Sequence, residues 1–175
     1  MDFGRHLLSR ITIFGGLQPE TLSFLLRRAR AVRVAKGDVF FHEGDPGGAL
    51  YILRSGRADV LKSHLAPSGE TEWIRVAGLE TGDCFGEISL LAVMPRSATV
   101  AATEDCDALR LGTTDLHALY ETDVRQFAML VMNLGREVAR RLWNTDRLLL
   151  DFAEPRQSLA ADAPRPKRPP PAAGS

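Results

Sequence analysis

Between Ala31 and Leu111 the chain breaks into short β-branched or aromatic runs, each closed by a turn signal. The runs are Val32 to Val34, Val39 to His42, Leu50 to Leu53, Ala58 to Lys62, Trp73 to Ala77, Thr99 to Ala102 and Asp107 to Leu111. Gly37-Asp38, Gly44-Asp45-Pro46-Gly47-Gly48, Ser55-Gly56 and Pro67-Ser68-Gly69 separate the early ones. Many short strands with frequent turn chemistry predict a sandwich or barrel, and a jelly roll or β-roll fits best. The separating glycines are read as turn residues at positive φ, which glycine reaches without Cβ strain.

Helical periodicity brackets this β region. Leu7, Leu8, Ile11 and Phe14 recur at helical spacing until Gly15-Gly16 interrupts them. Pro19 suits the first turn of a second helix, which carries the stripe Leu22, Leu25, Leu26 and Ala29 and ends near Arg30. Arg27-Arg28-Ala29-Arg30-Ala31 superficially looks like a kinase pseudosubstrate, but at a helix end it reads as a basic turn that complements the dipole. After Leu111, Thr114-Asp115 can cap a short helix and Thr122-Asp123 a longer one. Along the latter Val124, Phe127, Val131, Leu134, Val138, Leu142, Thr145 and Leu149 recur every three or four residues. Gly135 is either a soft point in that helix or a place where another element packs closely. The fold class expected is therefore mainly β with flanking helices: N-terminal helices, a short helix inside the β-roll, and a long C-terminal helix.

A chain of 175 residues suffices for one domain, expected over 1–154. Beyond it, Pro155, Pro164, Pro166 and Pro169 to Pro171 alternate with Arg156, Arg165, Lys167 and Arg168, which predicts a disordered Pro-rich tail over 155–175. Formal net charge is zero, so no global field points to nucleic acid or membrane. No N-terminal signal pattern and no spanning apolar run is seen, which places the protein in the cytoplasm. Cys84 and Cys106 lack metal or redox spacing, and His6, His42, His64 and His117 are scattered, so neither a metal site nor a cofactor is expected.

The stretch that carries chemistry is Gly82-Asp83-Cys84-Phe85-Gly86-Glu87-Ile88-Ser89-Leu90-Leu91, followed by Pro95-Arg96-Ser97-Ala98-Thr99-Val100. Gly86 would let the backbone turn after a strand over 82–85. A short helix over Glu87 to Leu91 would then offer free N–H groups and a positive dipole end to an anion. Arg96 can pair bidentately with phosphate oxygens, and Ser97 can add a hydroxyl. Glu87 suits a different partner, the hydroxyl of a sugar, because a carboxylate beside phosphate is otherwise repelled. From spacing alone an ion pair between Glu87 and Arg96 across a surface turn is an equal alternative.

Phe85-Gly86-Glu87-Ile88-Ser89-Leu90-Leu91 and Pro95-Arg96-Ser97-Ala98-Thr99-Val100 closely resemble the phosphate-binding cassette of the cyclic nucleotide-binding domain family. Phe14 to Gly16, Lys36-Gly37-Asp38, Glu43-Gly44-Asp45, and Leu50 to Leu53 with Gly56 extend the resemblance over roughly 10–150. It implies a β-roll that holds cyclic AMP or cyclic GMP as a ligand, through Phe85, Gly86, Glu87, Ile88, Ser89, Arg96, Ser97 and Ala98. Glu87 would bind the ribose 2′-OH and Arg96 the cyclic phosphate, with help from backbone amides near Ile88 and Ser89. Ser97 could contact phosphate or a guanine and does not settle the base; cyclic AMP is placed ahead of cyclic GMP.

In this family the C-terminal helix closes over the purine. Arg136, Glu137, Arg140, Arg141 and Asn144 are the candidate lid contacts here, and no motif fixes the choice. The helix-turn-helix, tandem-cassette and membrane segments of larger relatives are not seen. The expectation is a stand-alone sensor that signals to an unknown protein effector by moving this helix, which could also support a homodimer around Leu148-Leu149-Leu150. A cupin-like enzyme would need clustered histidines, and no nucleophile–base pair or paired acids suit catalysis. An interaction protein that has lost ligand binding is the other alternative, against which the intact Glu87 and Arg96 argue.

Overall fold

The computed structural model describes residues 8, 11–67 and 69–152, with side chains described up to Thr145. It contains two four-stranded antiparallel sheets, ordered β1-β8-β3-β6 and β2-β7-β4-β5. The strands are β1 (Arg30–Val34), β2 (Val39–Phe41), β3 (Ala49–Ser55), β4 (Ala58–Leu65), β5 (Thr71–Leu79), β6 (Cys84–Phe85), β7 (Thr99–Ala102) and β8 (Cys106–Gly112). The helices are α1 (Pro19–Arg28), α2 (Glu87–Leu91), α3 (Thr113–Thr122) and α4 (Val124–Phe152), with a 3-10 turn at Thr12–Phe14. This is the expected β-roll with flanking helices.

The sequence of β3 shows why it sits at the centre. Ala49, Tyr51 and Leu53 enter the core between the sheets with Phe41, Phe85, Val100 and Ala108, whereas Leu50 and Ile52 face the helices beside Leu109 and Leu111. A strand buried on both faces has to read as a continuous apolar run, and Leu50 to Leu53 does. The second core layer is completed by Phe14, Leu22, Leu25, Leu116, Leu119, Leu130 and Leu134.

Local details depart from expectation in instructive ways. In its described part the first helix is helical at Leu8 and then a 3-10 turn, with Leu8, Ile11 and Phe14 buried as the periodicity requires. α3 is capped two residues earlier than Thr114, at Gly112; Asp115 acts from inside the first turn, its Oδ2 accepting from Gly112 N at 2.8 Å. Asp123 behaves as expected, its Oδ1 accepting from Arg125 N and Gln126 N at 3.0 and 3.1 Å. Arg27 and Arg28 lie in the last turn of α1, where Arg28 covers the Phe24 ring and reaches Asp115 at 3.4 Å. They belong to the folded domain, as the basic-turn reading requires.

The buried face of α4 is rotated from the apolar stripe. Val124 is exposed, while Leu130, Leu134 and the polar Gln126 and Asn133 are buried. Asn133 Nδ2 donates to Ile13 O and Gly15 O at 3.1 and 2.8 Å, and Gln126 Oε1 accepts from Gln18 N at 2.8 Å. Those polar side chains satisfy main-chain groups that the N-terminal turn leaves open, a requirement no apolar count can register. At Gly135 a β-carbon would meet nothing within 4 Å, so close packing does not explain that glycine.

By contacts the chain separates into two compact units, Met1–Arg140 and Arg141–Ser175. In the second, helix α4 continues through 141–152, Thr145 Oγ1 donates to Arg141 O at 2.9 Å, and Leu142 and Trp143 are exposed. The side chains of Leu148-Leu149-Leu150 and the expected tail over 155–175 lie outside what the structure describes. Among the described residues no helix is long and apolar enough to cross a membrane, and no group of His, Cys, Asp or Glu could hold a metal ion.

Candidate functional site

β6 delivers the chain to Gly86, which adopts φ 80° and ψ 4° and opens α2. Only glycine takes this left-handed turn without strain, and the space is closed too: a β-carbon there would lie 2.6 Å from Arg96 Nη1 and 2.9 Å from Ala49 O. The first turn of α2 receives no side-chain cap from Gly86, and a helix start of this kind presents amides and a positive dipole end suited to an anion. Phe85, buried at the end of β6, stacks on Tyr51 with ring centroids 5.3 Å apart and fixes the approach to that turn.

Arg96 is 5% exposed and Glu87 1%, so the alternative of an ion pair on the surface does not hold. One nitrogen of the guanidinium is committed to the protein. Nη1 donates to Ala49 O at 2.8 Å, Gly86 O at 3.1 Å and Ser89 Oγ at 2.8 Å. The group lies over an aromatic floor, its carbon 4.1 Å from the Phe41 ring centroid and 5.6 Å from that of Tyr51. Among the described residues, Arg96 Nε is the one buried side-chain nitrogen or oxygen with no hydrogen-bond partner.

Burial pushes the Arg96 pKa below the ordinary guanidinium value; Tyr51, Asp45 and Glu87 push it back up, and Arg110 adds to the lowering. Arginine nonetheless remains cationic at neutral pH. A buried cation with an orphan donor is unfavourable by itself, and an anion accepting from Nε would relieve both deficits. Buried carboxylates and guanidinia are rarely retained for stability alone.

The remaining cassette residues divide by exposure. Ser89 is buried, its Oγ donating to Gly86 O at 3.1 Å while accepting from Arg96. The resemblance implies a role for its backbone amide alone, whereas its hydroxyl also holds Arg96 in place, which no sequence motif signals. Ala98 is buried under the start of β7, whereas Ile88 and Ser97 are exposed. Of the candidate lid residues, Arg136 and Arg140 lie in the first unit and are exposed, Arg136 Nη1 donating to Asn133 Oδ1 at 3.0 Å and Arg140 Nη1 to Glu137 Oε2 at 2.5 Å. Arg141 and Asn144 belong to the second unit.

Gly47 also shapes the site, though not through positive φ as the turn reading of the separators supposes. It approaches so closely that a β-carbon at 47 would lie 2.5 Å from Ser89 Cβ and 2.6 Å from Met94 O. The doublet Gly47-Gly48 was the available signal: Gly48 has φ 99°, which leaves its neighbour to be explained by contact. Gly47→Ala is expected to push α2 off the β2–β3 loop, lowering stability by about 1–3 kcal/mol as overpacking does. A thermal melt checks this, and an unshifted melting temperature would show that the cassette can move aside freely.

These features, a left-handed glycine before a five-residue helix and a buried carboxylate near a buried arginine, can be compared with known proteins. A family model described as the cyclic nucleotide-binding domain matches residues 31–123. The chain is 35% identical over 150 residues to the cyclic AMP receptor protein of Thermus thermophilus, across 85% of this chain and 66% of that protein's length. The crystal structure of Thermus thermophilus catabolite activator protein superposes with a TM-score of 0.67 at 35% identity, over 81% of this chain and 62% of that one. A co-crystal structure of the regulatory domain of Toxoplasma gondii PKA with cAMP superposes with a TM-score of 0.58 at 30% identity, over 67% and 43%. The chain thus spans less than two-thirds of the length of the curated receptor and regulatory proteins it matches. With the β-roll, the cassette turn and more than half of its length matched, the chain belongs to the cyclic nucleotide-binding domain family.

Proposed function

We propose that the chain is a cyclic nucleotide sensor that binds cyclic AMP in preference to cyclic GMP and performs no chemistry on it. The observation that carries the reading is Arg96: a buried cation whose Nη1 is anchored by three acceptors while Nε is left without one. A cyclic phosphate accepting from the Nε side of the guanidinium, and from the first-turn amides of α2, supplies the missing acceptor and the missing charge. Glu87 accepts the ribose 2′-OH. Phe85, Gly86 and Ala98 shape the cassette, Ile88 and Ser89 contribute amides, and Ser97 lies at its exposed edge.

The preference for cyclic AMP is supported by the receptor that bears its name at 35% identity and by the cAMP co-crystal structure at 30%. The signal leaves through α4. Its first turns are fastened to the N-terminal turn by Gln126 and Asn133, so helix and turn would move together, and Arg136 or Arg140 would meet the purine. A ligand can drive this only through unequal affinity for the two positions. The reader of that movement is a protein effector or a second copy of the chain.

Isothermal titration of the purified chain with cyclic AMP and with cyclic GMP tests the reading. Saturable one-to-one binding is expected, tighter for cyclic AMP by at least about fivefold, or roughly 1 kcal/mol. Absence of heat and of binding with both nucleotides would overturn it, leaving the domain as an interaction module without a ligand.

A further inference from the structure

The segment that presents Arg96 is not held by the cassette helix alone. It is strapped to the loop between β2 and β3. Gly44 N donates to Arg96 O and Arg96 N donates to Asp45 O, both at 2.9 Å. Just before them, Glu43 N donates to Thr99 Oγ1 at 2.9 Å. The loop therefore sets the main-chain position of Arg96 at both of its polar groups.

A side chain ties the loop to a further strand. Inside the turn, Asp45 Oδ2 accepts from His42 N at 2.8 Å, which makes the turn compact but ties it to nothing else. The Glu43 carboxylate supplies an anchor on β4, besides the bond of the residue's amide to Thr99 on β7. Its Oε1 accepts from Lys62 Nζ at 2.7 Å, and its Oε2 accepts from Ser63 N at 3.3 Å, both on β4. The Lys62 and Ser63 bonds hold the Glu43 carboxyl below the usual carboxylate range, against the opposing effect of burial. One carboxylate thereby joins β4 to the loop that clamps the arginine.

We propose that Glu43 is a positioning residue for Arg96, acting through the β2–β3 loop, so that affinity for the cyclic phosphate depends on the pairing of Glu43 with Lys62. The inference rests on the reading of Arg96 as the phosphate ligand. It separates from a stability role by magnitude. The pair is half exposed, with side-chain exposures of 48% for Lys62 and 30% for Glu43, and such pairs contribute little to folding. A fork of donors aimed at phosphate, in contrast, loses much of its effect when displaced by a fraction of an ångström. Affinity should respond while the melting temperature hardly moves.

The experiment compares the full chain with Glu43→Ala and with the charge-swapped double variant E43K/K62E. Titration with cyclic AMP should show Glu43→Ala weakened roughly 3- to 10-fold, in the range for residues that act through a neighbour. The swapped pair should recover part of the loss, through the charge pairing of 43 with 62 alone, because an ammonium at 43 cannot accept from Ser63 N; a generic packing role would allow no recovery. In the ligand-free proteins, amide hydrogen exchange at Gly44 and Arg96 should be faster in Glu43→Ala and partly slowed again in the swap. Wild-type affinity in Glu43→Ala, in a protein that binds cyclic AMP and loses it with Arg96→Ala, overturns the positioning role and leaves the site reading intact. A swap that binds no better than Glu43→Ala overturns it too. If the wild type binds no cyclic AMP, the site reading fails, and the exchange measurement still decides: unchanged protection at Gly44 and Arg96 refutes the strap, and accelerated exchange supports it.

Discussion

Arg96→Ala is expected to weaken cyclic AMP binding about 100-fold in calorimetry, a loss of roughly 2.7 kcal/mol. Hydrogen bonds to charged groups contribute about 1.5–3 kcal/mol each, and the substitution removes the buried donor whose partner is missing in the free protein. Stability should fall as well, for a separate reason. Nη1 no longer donates to Ala49 O and Ser89 Oγ, while Gly86 O keeps the Ser89 hydroxyl as a donor, and a buried acceptor left unpaired costs about 1–3 kcal/mol. Against a typical total of about 5–15 kcal/mol the domain stays folded, so the two effects can be measured apart. Arg96→Lys sharpens the test. It keeps a cation over the Phe41 ring but loses the planar fork, and an affinity between those of wild type and Arg96→Ala is expected. Undiminished binding by the alanine variant would refute the assignment of the phosphate ligand.

That this arginine could be singled out at all reflects how the two kinds of information divide. Strand β3 announces its two buried faces as an unbroken apolar run, and Gly86 announces a left-handed turn immediately before a short helical stretch. Asp123 announces a helix start because its cap acts within three residues. Each of these signals is local. What stayed hidden acts over long separations in the chain: Gln126 and Asn133 are buried to serve carbonyl and amide groups more than a hundred residues away, and Gly47 is small because Ser89 and Met94 press on it. The same limit explains the misplaced stripe of α4. Exposed Val124 and buried Asn133 exchange the roles that their polarity suggests, because the N-terminal turn needs hydrogen-bond partners more than it needs another methyl group.

At the cassette the consequence is that the identity of Glu87 was legible while its environment was not. Its burial to 1% turns a residue that spacing alone could place on a surface into one that must have a reason to be inside. The Coulomb interaction with Arg96 supplies part of that reason, since Glu87 favours the charged form of the arginine. It does not account for the choice of a carboxylate whose natural complement, beside a phosphate, is a hydroxyl donor. The two roles can be separated by changing the ligand instead of the protein.

Wild-type protein should bind 2′-deoxy cyclic AMP about 10- to 100-fold more weakly than cyclic AMP, because the deoxy analogue loses the hydroxyl donated to the Glu87 carboxylate, a charge-assisted hydrogen bond that contributes about 1.5–3 kcal/mol. In Glu87→Ala the two ligands should bind alike, both near the weaker level, since no acceptor remains to miss the hydroxyl. Glu87→Gln should fall between. Its amide oxygen can still accept from the 2′-OH, but the bond is no longer charge-assisted and the support to Arg96 is gone. The cycle of two proteins and two ligands isolates the Glu87–hydroxyl term from any general loosening of the cassette, because loosening weakens both ligands equally. If Glu87→Ala lowers both affinities yet keeps the wild-type ratio between them, Glu87 serves Arg96 alone, and the ribose must be recognised by another group.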